Sequence, residues 1–221
     1  MSDKHAQLAV VPAPLIEPDV DPWFRAVIRQ RVHESIGVKQ QLLRGDLVDA
    51  VARLADEVVE SIRSGGKVIL FGNGGSAADA THLAAEFVGR FGFDRAPMPA
   101  LSLSDNVSAV TAIGNDYDYG LTFARQIRAL GREGDVAIGL STSGSSANVL
   151  NAIHAAQEQG MFTSAFTGAQ GAELAVLADL ALVVPSTSTA RIQEGYMLCA
   201  HIVCELVERR MFSPTPAAAA N

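Results

Sequence analysis

The chain has 221 residues, enough for one domain of ordinary size with a core of its own. Hydrophobic residues make up 48% and charged residues 19%, which is a globular balance and excludes a disordered chain. A formal net charge of −7, from 24 acidic and 17 basic side chains, argues against nucleic acid as a partner, while a few local donors could still hold a small anion.

Residues 1–20, with Pro12, Pro14 and Pro18, read as a loose arm, without the basic start and unbroken apolar stretch of a signal peptide. Asp21-Pro22 is a helix start, with Asp as cap and Pro at the first helical position, and the helix is expected to run to about Leu43. A second helix is expected from Asp46 to about Arg63, ended by Gly65-Gly66. Lys67–Phe71 is a short apolar run between glycines and predicts a buried strand. Gly72–Ser76 reads as a loop, Ala77 to about Arg90 as a helix and Pro99–Leu103 as a second strand. Asn106–Leu130 reads as mostly helical, interrupted near Gly114–Asp118. Asp135–Leu140 is a third strand, Ser141–Ser145 a loop and Ser146–Gln159 a helix. Strands follow at Phe162–Thr167 and Leu180–Val184, then a long helix from Thr189 to about Met211 and a frayed tail over 213–221.

Short apolar strands alternating with helices imply an α/β protein with a parallel sheet covered on both faces. One domain is expected over 21–212. No apolar run reaches the ~20 residues that span a bilayer, so no membrane partner is expected. Cys199 and Cys204 fall five apart on the last helix and point in different directions, so no disulfide between them is expected. Two free cysteines suit a reducing, cytoplasmic setting.

Such sheets bind ligands beyond the carboxyl ends of their strands. Two loops stand there. Gly72-Asn73-Gly74-Gly75-Ser76 allows close backbone approach and positive φ at a helix N-terminus, yet it is neither a dinucleotide fingerprint nor a P-loop. Ser141-Thr142-Ser143-Gly144-Ser145-Ser146 carries five hydroxyls in six residues. One hydroxyl caps a helix, whereas several suit the oxygens of a phosphate monoester. No Arg or Lys lies in either loop, so neutral dipoles would hold the anion.

His82 and Glu86 lie four apart on the helix after the first loop, on one face. Gln193 and His201 lie eight apart on the last helix, within reach of one face across two turns. Two imidazoles, a carboxylate and an amide oxygen make a Zn²⁺ donor set; Glu86 and His201 alone make a metal-free acid/base pair.

The run F-G-N-G-G-S-A-A-D-A-T-H-L-A-A-E-F-V-G-R at 71–90 resembles the signature of phosphoheptose isomerases in the SIS domain superfamily. G-R-E-G-D-V at 131–136, S-T-S-G-S-S-A-N-V at 141–149, R-I-Q-E at 191–194 and H-I-V-C-E-L-V-E at 201–208 are similar to the same family, in order and correctly spaced. The resemblance implies the SIS fold, a three-layer α/β/α sandwich with a five-stranded parallel sheet, a homotetramer with active sites between subunits, and one Zn²⁺ per subunit. It implies conversion of D-sedoheptulose 7-phosphate to D-glycero-D-manno-heptose 7-phosphate, toward activated heptose. It assigns substrate contact to Asn73, Gly74, Gly75, Asn115, Asp116, Ser141, Thr142, Ser143, Ser146 and Gln193, to which the loop reading adds Ser76. It assigns zinc to His82, Glu86, Gln193 and His201, and acid/base work to Glu86 and His201.

Ala77-Ala78 and Ala190 depart from residues common in that family, and with Met211-Phe212 they resemble a non-enzymatic branch that binds the bacterial replication initiator. That branch generally lacks the carboxylate and closing histidine present here. A non-catalytic protein that binds the initiator or senses a sugar phosphate is the alternative expectation.

Overall fold

A computed structural model describes residues 20–44 and 46–212. The expected arm, up to residue 19, and the expected tail, residues 213–221, lie outside them. Helix α1 (Pro22–Leu42) opens as its sequence requires: the Asp21 side chain accepts the Trp23 N–H at 2.9 Å and Pro22 takes the first position. There follow α2 (Leu47–Arg63), β1 (Val68–Gly72), α3 (Gly75–Val88), β2 (Ala100–Ser102), α4 (Val107–Asp116), a 3₁₀ turn (Tyr119–Leu121) and α5 (Thr122–Leu130). The chain continues through β3 (Val136–Leu140), α6 (Ala147–Glu158), β4 (Phe162–Gly168), α7 (Ala172–Leu177), β5 (Leu180–Val184) and α8 (Thr189–Phe212).

The five strands form one parallel sheet in the order β2-β1-β3-β4-β5. Every residue of β1 and β3 is buried, because helices cover both faces. Alternation divides the strand side chains between two cores. Val68, Leu70, Val136, Ile138 and Phe166 pack with α2, α3 and α8, while Ile69, Phe71, Ala137 and Ala165 pack with α5 and α6. The three-layer sandwich is the one expected.

Two local features differ from expectation. Helix α4 continues through Gly114 to Asp116, and the break comes at Tyr117-Asp118, where Asp118 accepts the Gly120 N–H at 2.7 Å. Helix α7 was not foreseen: six residues are too few for a helical period to register in a sequence window.

Helices α3 and α8 run side by side in the same direction, since their contacts ascend together: Ser76 with Tyr196, His82 with His201, and the segment after α3 with Glu208. The far end is fixed by a buried ion pair. Arg95 Nε and Glu208 Oε1 stand 3.0 Å apart with side chains 1% exposed. Glu208 also accepts the N–H groups of Phe91 and Gly92, and Arg95 donates to the carbonyls of Glu86, Phe87 and Gly89. Those are carbonyls a helix end leaves without partners, so Arg95 both caps α3 and ties it to α8.

Candidate active site

Gly72 and Leu140 are partners in the sheet, so the loops after β1 and β3 leave its carboxyl edge side by side. Asn73 joins them: its Nδ2 donates to Asn148 Oδ1 at 2.8 Å, and Asn148 Nδ2 donates back to Asn73 Oδ1 at 2.9 Å. Asn148 belongs to α6, the helix that follows the second loop. Tyr119 donates its hydroxyl to Asn73 Oδ1 at 2.9 Å. Gly74 precedes α3 at φ +55°, a conformation glycine adopts without strain.

In the second loop Ser141 is buried, with Oγ 3.0 Å from Ser146 Oγ and 3.5 Å from Ser143 Oγ. Ser145 Oγ donates to Ser143 Oγ at 3.2 Å, and the Thr142 carbonyl accepts the Gly168 N–H at 3.3 Å. Gly144, at φ +67°, lies flat on Gly171 of the next loop. Neither α3 nor α6 has a side-chain cap. Two helix N-termini without side-chain caps therefore open at this edge, beside clustered hydroxyls, which is a setting for an anion.

The second group lies between α3 and α8. His82 Nε2 is 2.9 Å from His201 Nε2, the rings meeting edge to face, and His82 Nε2 is 3.6 Å from Glu86 Oε1. The Phe91 ring closes on His201 with centroids 5.7 Å apart. Glu86 is half-buried near Cys204. Burial, with the Glu86 charge adding to it, pushes the Cys204 thiol up to about 12, and burial pushes Cys199 up to about 11, so neither is a nucleophile.

Gln193 does not join this group. It stands eight residues before His201, about 12 Å along α8, and its Nε2 donates to Asp79 Oδ2 at 2.8 Å. The buried Tyr196 donates its hydroxyl to the same oxygen at 2.7 Å and lies 2.9 Å from Ser76 Oγ. Burial, with Asp79 beside it, holds the Tyr196 phenol well above its ordinary range. Asn115 and Asp116 are exposed at the end of α4 and hydrogen-bond each other at 2.8 Å, with no hydrogen bond to either loop among the described residues. Asp79, Tyr196, Tyr119 and Asn148 went unread in the sequence. For Asp79 a signal existed: Ser76, Asp79, His82 and Glu86 follow one another at spacings of three, three and four, a single stripe along α3.

Two imidazoles and a carboxylate are donors that zinc takes. The 2.9 Å between the two nitrogens is a little under the ~3.3 Å that separates two ligands of a tetrahedral ion bound at ~2.0 Å. Among the described residues no three His, Cys, Asp or Glu side chains already form a metal-holding group. The fit therefore lies in the chemistry of the donors, which would have to open slightly to admit an ion.

The fold and these two groups define an α/β protein with clustered hydroxyl, amide, imidazole and carboxylate groups near the carboxyl edge of a parallel sheet. The sequence matches the SIS domain family over residues 34–168. It is 52% identical over 192 residues to the phosphoheptose isomerase of Roseiflexus sp. (strain RS-1), covering 87% of this chain and 96% of the relative. It is 50% identical over 186 residues to that of Burkholderia pseudomallei (strain K96243), covering 82% and 94%. The solved phosphoheptose isomerase of Neisseria gonorrhoeae matches with a TM-score of 0.79 at 41% identity, over 84% of this chain and 98% of that one. The one from Francisella tularensis matches at 0.81 and 34% identity, over the same shares. The chain belongs to the phosphoheptose isomerase family of SIS domain proteins.

Proposed function

We propose that the chain is an aldose–ketose isomerase that converts D-sedoheptulose 7-phosphate to D-glycero-D-manno-heptose 7-phosphate. The observation that carries this reading is the meeting of His82, Glu86 and His201 across α3 and α8, on the same helix pair whose first turns meet at the Gly74-Gly75 loop. His82 lies seven residues past Gly75, about 10 Å along the helix, a separation suited to an extended seven-carbon sugar phosphate.

Ser141, Thr142, Ser143 and Ser146, with the α6 N-terminus, hold the phosphate. Asn73, Gly74, Gly75, Ser76 and Gln193 line the sugar's path toward the histidine pair. Glu86 takes a proton from C1 of the ketose, the electron pair forming the C1–C2 double bond of a cis-enediol. The same carboxyl returns the proton to C2 as the C1 aldehyde forms. His201 moves the accompanying proton between the two oxygens. Asn115 and Asp116, exposed in this chain, contact substrate across a subunit boundary.

One Zn²⁺ per subunit, held by His82, Glu86 and His201, would supply electrophilic help to the carbonyl and the enediolate charge; the expected fourth donor, Gln193, is instead engaged by Asp79. A homotetramer is supported by Phe24, Ile28, Val32 and Ile36, exposed at intervals of four along α1, with Trp23 beside them. The cytoplasm is supported by two free, buried cysteines; no described helix is long and apolar enough to cross a membrane. The alternative, a non-catalytic initiator-binding protein, has no support among the relatives named above, which all carry the isomerase name.

The test is incubation of purified protein with sedoheptulose 7-phosphate, with and without a chelator, followed by NMR. Appearance of the aldose phosphate is expected. No conversion under any metal condition, beside an active control, would end the proposal.

A further inference from the structure

Asp79 takes no part in the isomerisation set out above, yet it occupies the space between α3 and α8 at the mouth of the first loop. Its Oδ2 accepts from Gln193 Nε2 at 2.8 Å and from the Tyr196 hydroxyl at 2.7 Å. A carboxylate only accepts, so the end of the Gln193 carboxamide that faces it is the NH₂, and the carbonyl oxygen faces the other way. That oxygen accepts from no described residue, and it is not one of the buried side-chain atoms left without a partner, so it remains open to an arriving donor. Gly75 closes the flat side of the group: a Cβ there would lie 2.6 Å from Gln193 Nε2 and 3.2 Å from Oε1. The carboxylate is itself held, because the Tyr196 hydroxyl that donates to it sits on a fully buried ring and lies 2.9 Å from Ser76 Oγ.

We propose that Asp79 is a positioning residue that fixes the polarity of the Gln193 side chain, presenting its carbonyl oxygen at the Gly74-Gly75 loop as an acceptor for a hydroxyl of the sugar phosphate. A carboxamide with no such anchor offers oxygen or nitrogen according to what arrives. One anchored by a carboxylate offers oxygen alone, and so selects a hydroxyl over a carbonyl or phosphate oxygen at that place. The inference rests on the proposed reading of Gln193 as a substrate contact.

Three variants separate the possibilities: Gln193→Ala, Asp79→Leu and the double exchange Asp79→Asn with Gln193→Glu. KM and kcat for the sugar phosphate are measured beside the thermal midpoint of each. Gln193→Ala should raise KM roughly tenfold with a smaller change in kcat, as expected for loss of a neutral hydrogen bond. Asp79→Leu, of similar size and without an acceptor, should raise KM several-fold while the protein stays folded. The double exchange should bring KM back toward the starting value, because an amide at position 79 donates to one carboxylate oxygen at 193 and leaves the other facing outward. Should Asp79→Leu fail to fold, the double exchange carries the test, and a KM as poor as that of Gln193→Ala overturns the proposal. A raised KM for Gln193→Ala with an unchanged KM for Asp79→Leu also overturns it, and leaves Gln193 as a substrate contact. An unchanged KM for Gln193→Ala removes the reading on which it rests and the proposal with it.

Discussion

His82 and His201 are joined Nε2 to Nε2 at 2.9 Å, a hydrogen bond between imidazoles that links α3 to α8 at mid-height. One ring must donate and the other accept, so the pair holds with at least one ring neutral. Glu86, 3.6 Å from His82 Nε2, completes a group in which a proton acceptor and a proton relay stand within one side chain's reach. His201→Gln should lower kcat/KM by about 10²–10⁴, the usual worth of a positioned acid or base, with an unchanged far-ultraviolet circular dichroism spectrum. Retention of most of the activity would remove His201 from the proton relay.

The hydroxyl loop makes a separate prediction, because it binds rather than reacts. Ser146 Oγ lies 3.0 Å from Ser141 Oγ at the uncapped start of α6. A hydrogen bond to a charged group contributes about 1.5–3 kcal/mol, so Ser146→Ala should raise KM about 10- to 100-fold and leave kcat nearly unchanged. Steady-state kinetics decides it, since a fall in kcat alone would place Ser146 at the reacting carbons instead.

Gly144 and Gly65 test whether backbone contact matters at the site. Both have positive φ, +67° and +84°. A Cβ on Gly65 would meet nothing within 4 Å, whereas one on Gly144 would come within 2.3 Å of Gly171 Cα. Gly65→Ala should cost only about 1–2 kcal/mol of left-handed strain. Gly144→Ala adds a clash with the neighbouring loop and should both lower the melting temperature further and weaken phosphate binding. Thermal unfolding with and without inorganic phosphate compares the two.

The Arg95–Glu208 pair should govern acid stability. Burial works to raise the Glu208 carboxyl, but the N–H groups of Phe91 and Gly92 and the Arg95 guanidinium outweigh it and hold it below the usual carboxylate range. A depressed folded value means that the contribution is complete above the unfolded pKa of about 4.3 and is lost as pH falls through the folded value. Arg95→Met leaves a buried carboxylate without its partner and should destabilise by about 3–5 kcal/mol near neutral pH. Urea unfolding across the acid range should show the penalty shrinking as Glu208 protonates; a penalty that stays constant with pH would contradict this account of the pair.

Much of the architecture is legible in the sequence because it rests on local rules. Lys67–Phe71 and Asp135–Leu140 read as strands because they are short, apolar and bounded by turn residues, and β1 and β3 fall there within a residue. His82 and Glu86 share a face by spacing alone. What spacing cannot supply is which helix stands opposite. The parallel pairing of α3 with α8 sets His201 on His82, and Gln193 on Asp79 rather than on the histidines. Asp79 lies on the legible stripe of Ser76, His82 and Glu86, but its bond to Tyr196 does not show, because hydrogen bonds between helices distant in the chain leave no periodic trace. Asn115 and Asp116 stay exposed and bonded to each other, although Tyr119, three residues on, reaches Asn73 in the first loop.

The central claim is that Glu86 carries a proton between adjacent carbons of the sugar. Isomerisation in D₂O, followed by NMR, tests it most directly with the unaltered protein and Glu86→Gln. The unaltered protein should deliver aldose phosphate bearing deuterium at C2, in the proportion left by any direct return of the C1 proton, and it should exchange a C1 hydrogen of the recovered ketose. Glu86→Gln, folded and still binding the sugar phosphate, should show neither exchange nor product. Product formed at a near-normal rate by that variant would contradict the account.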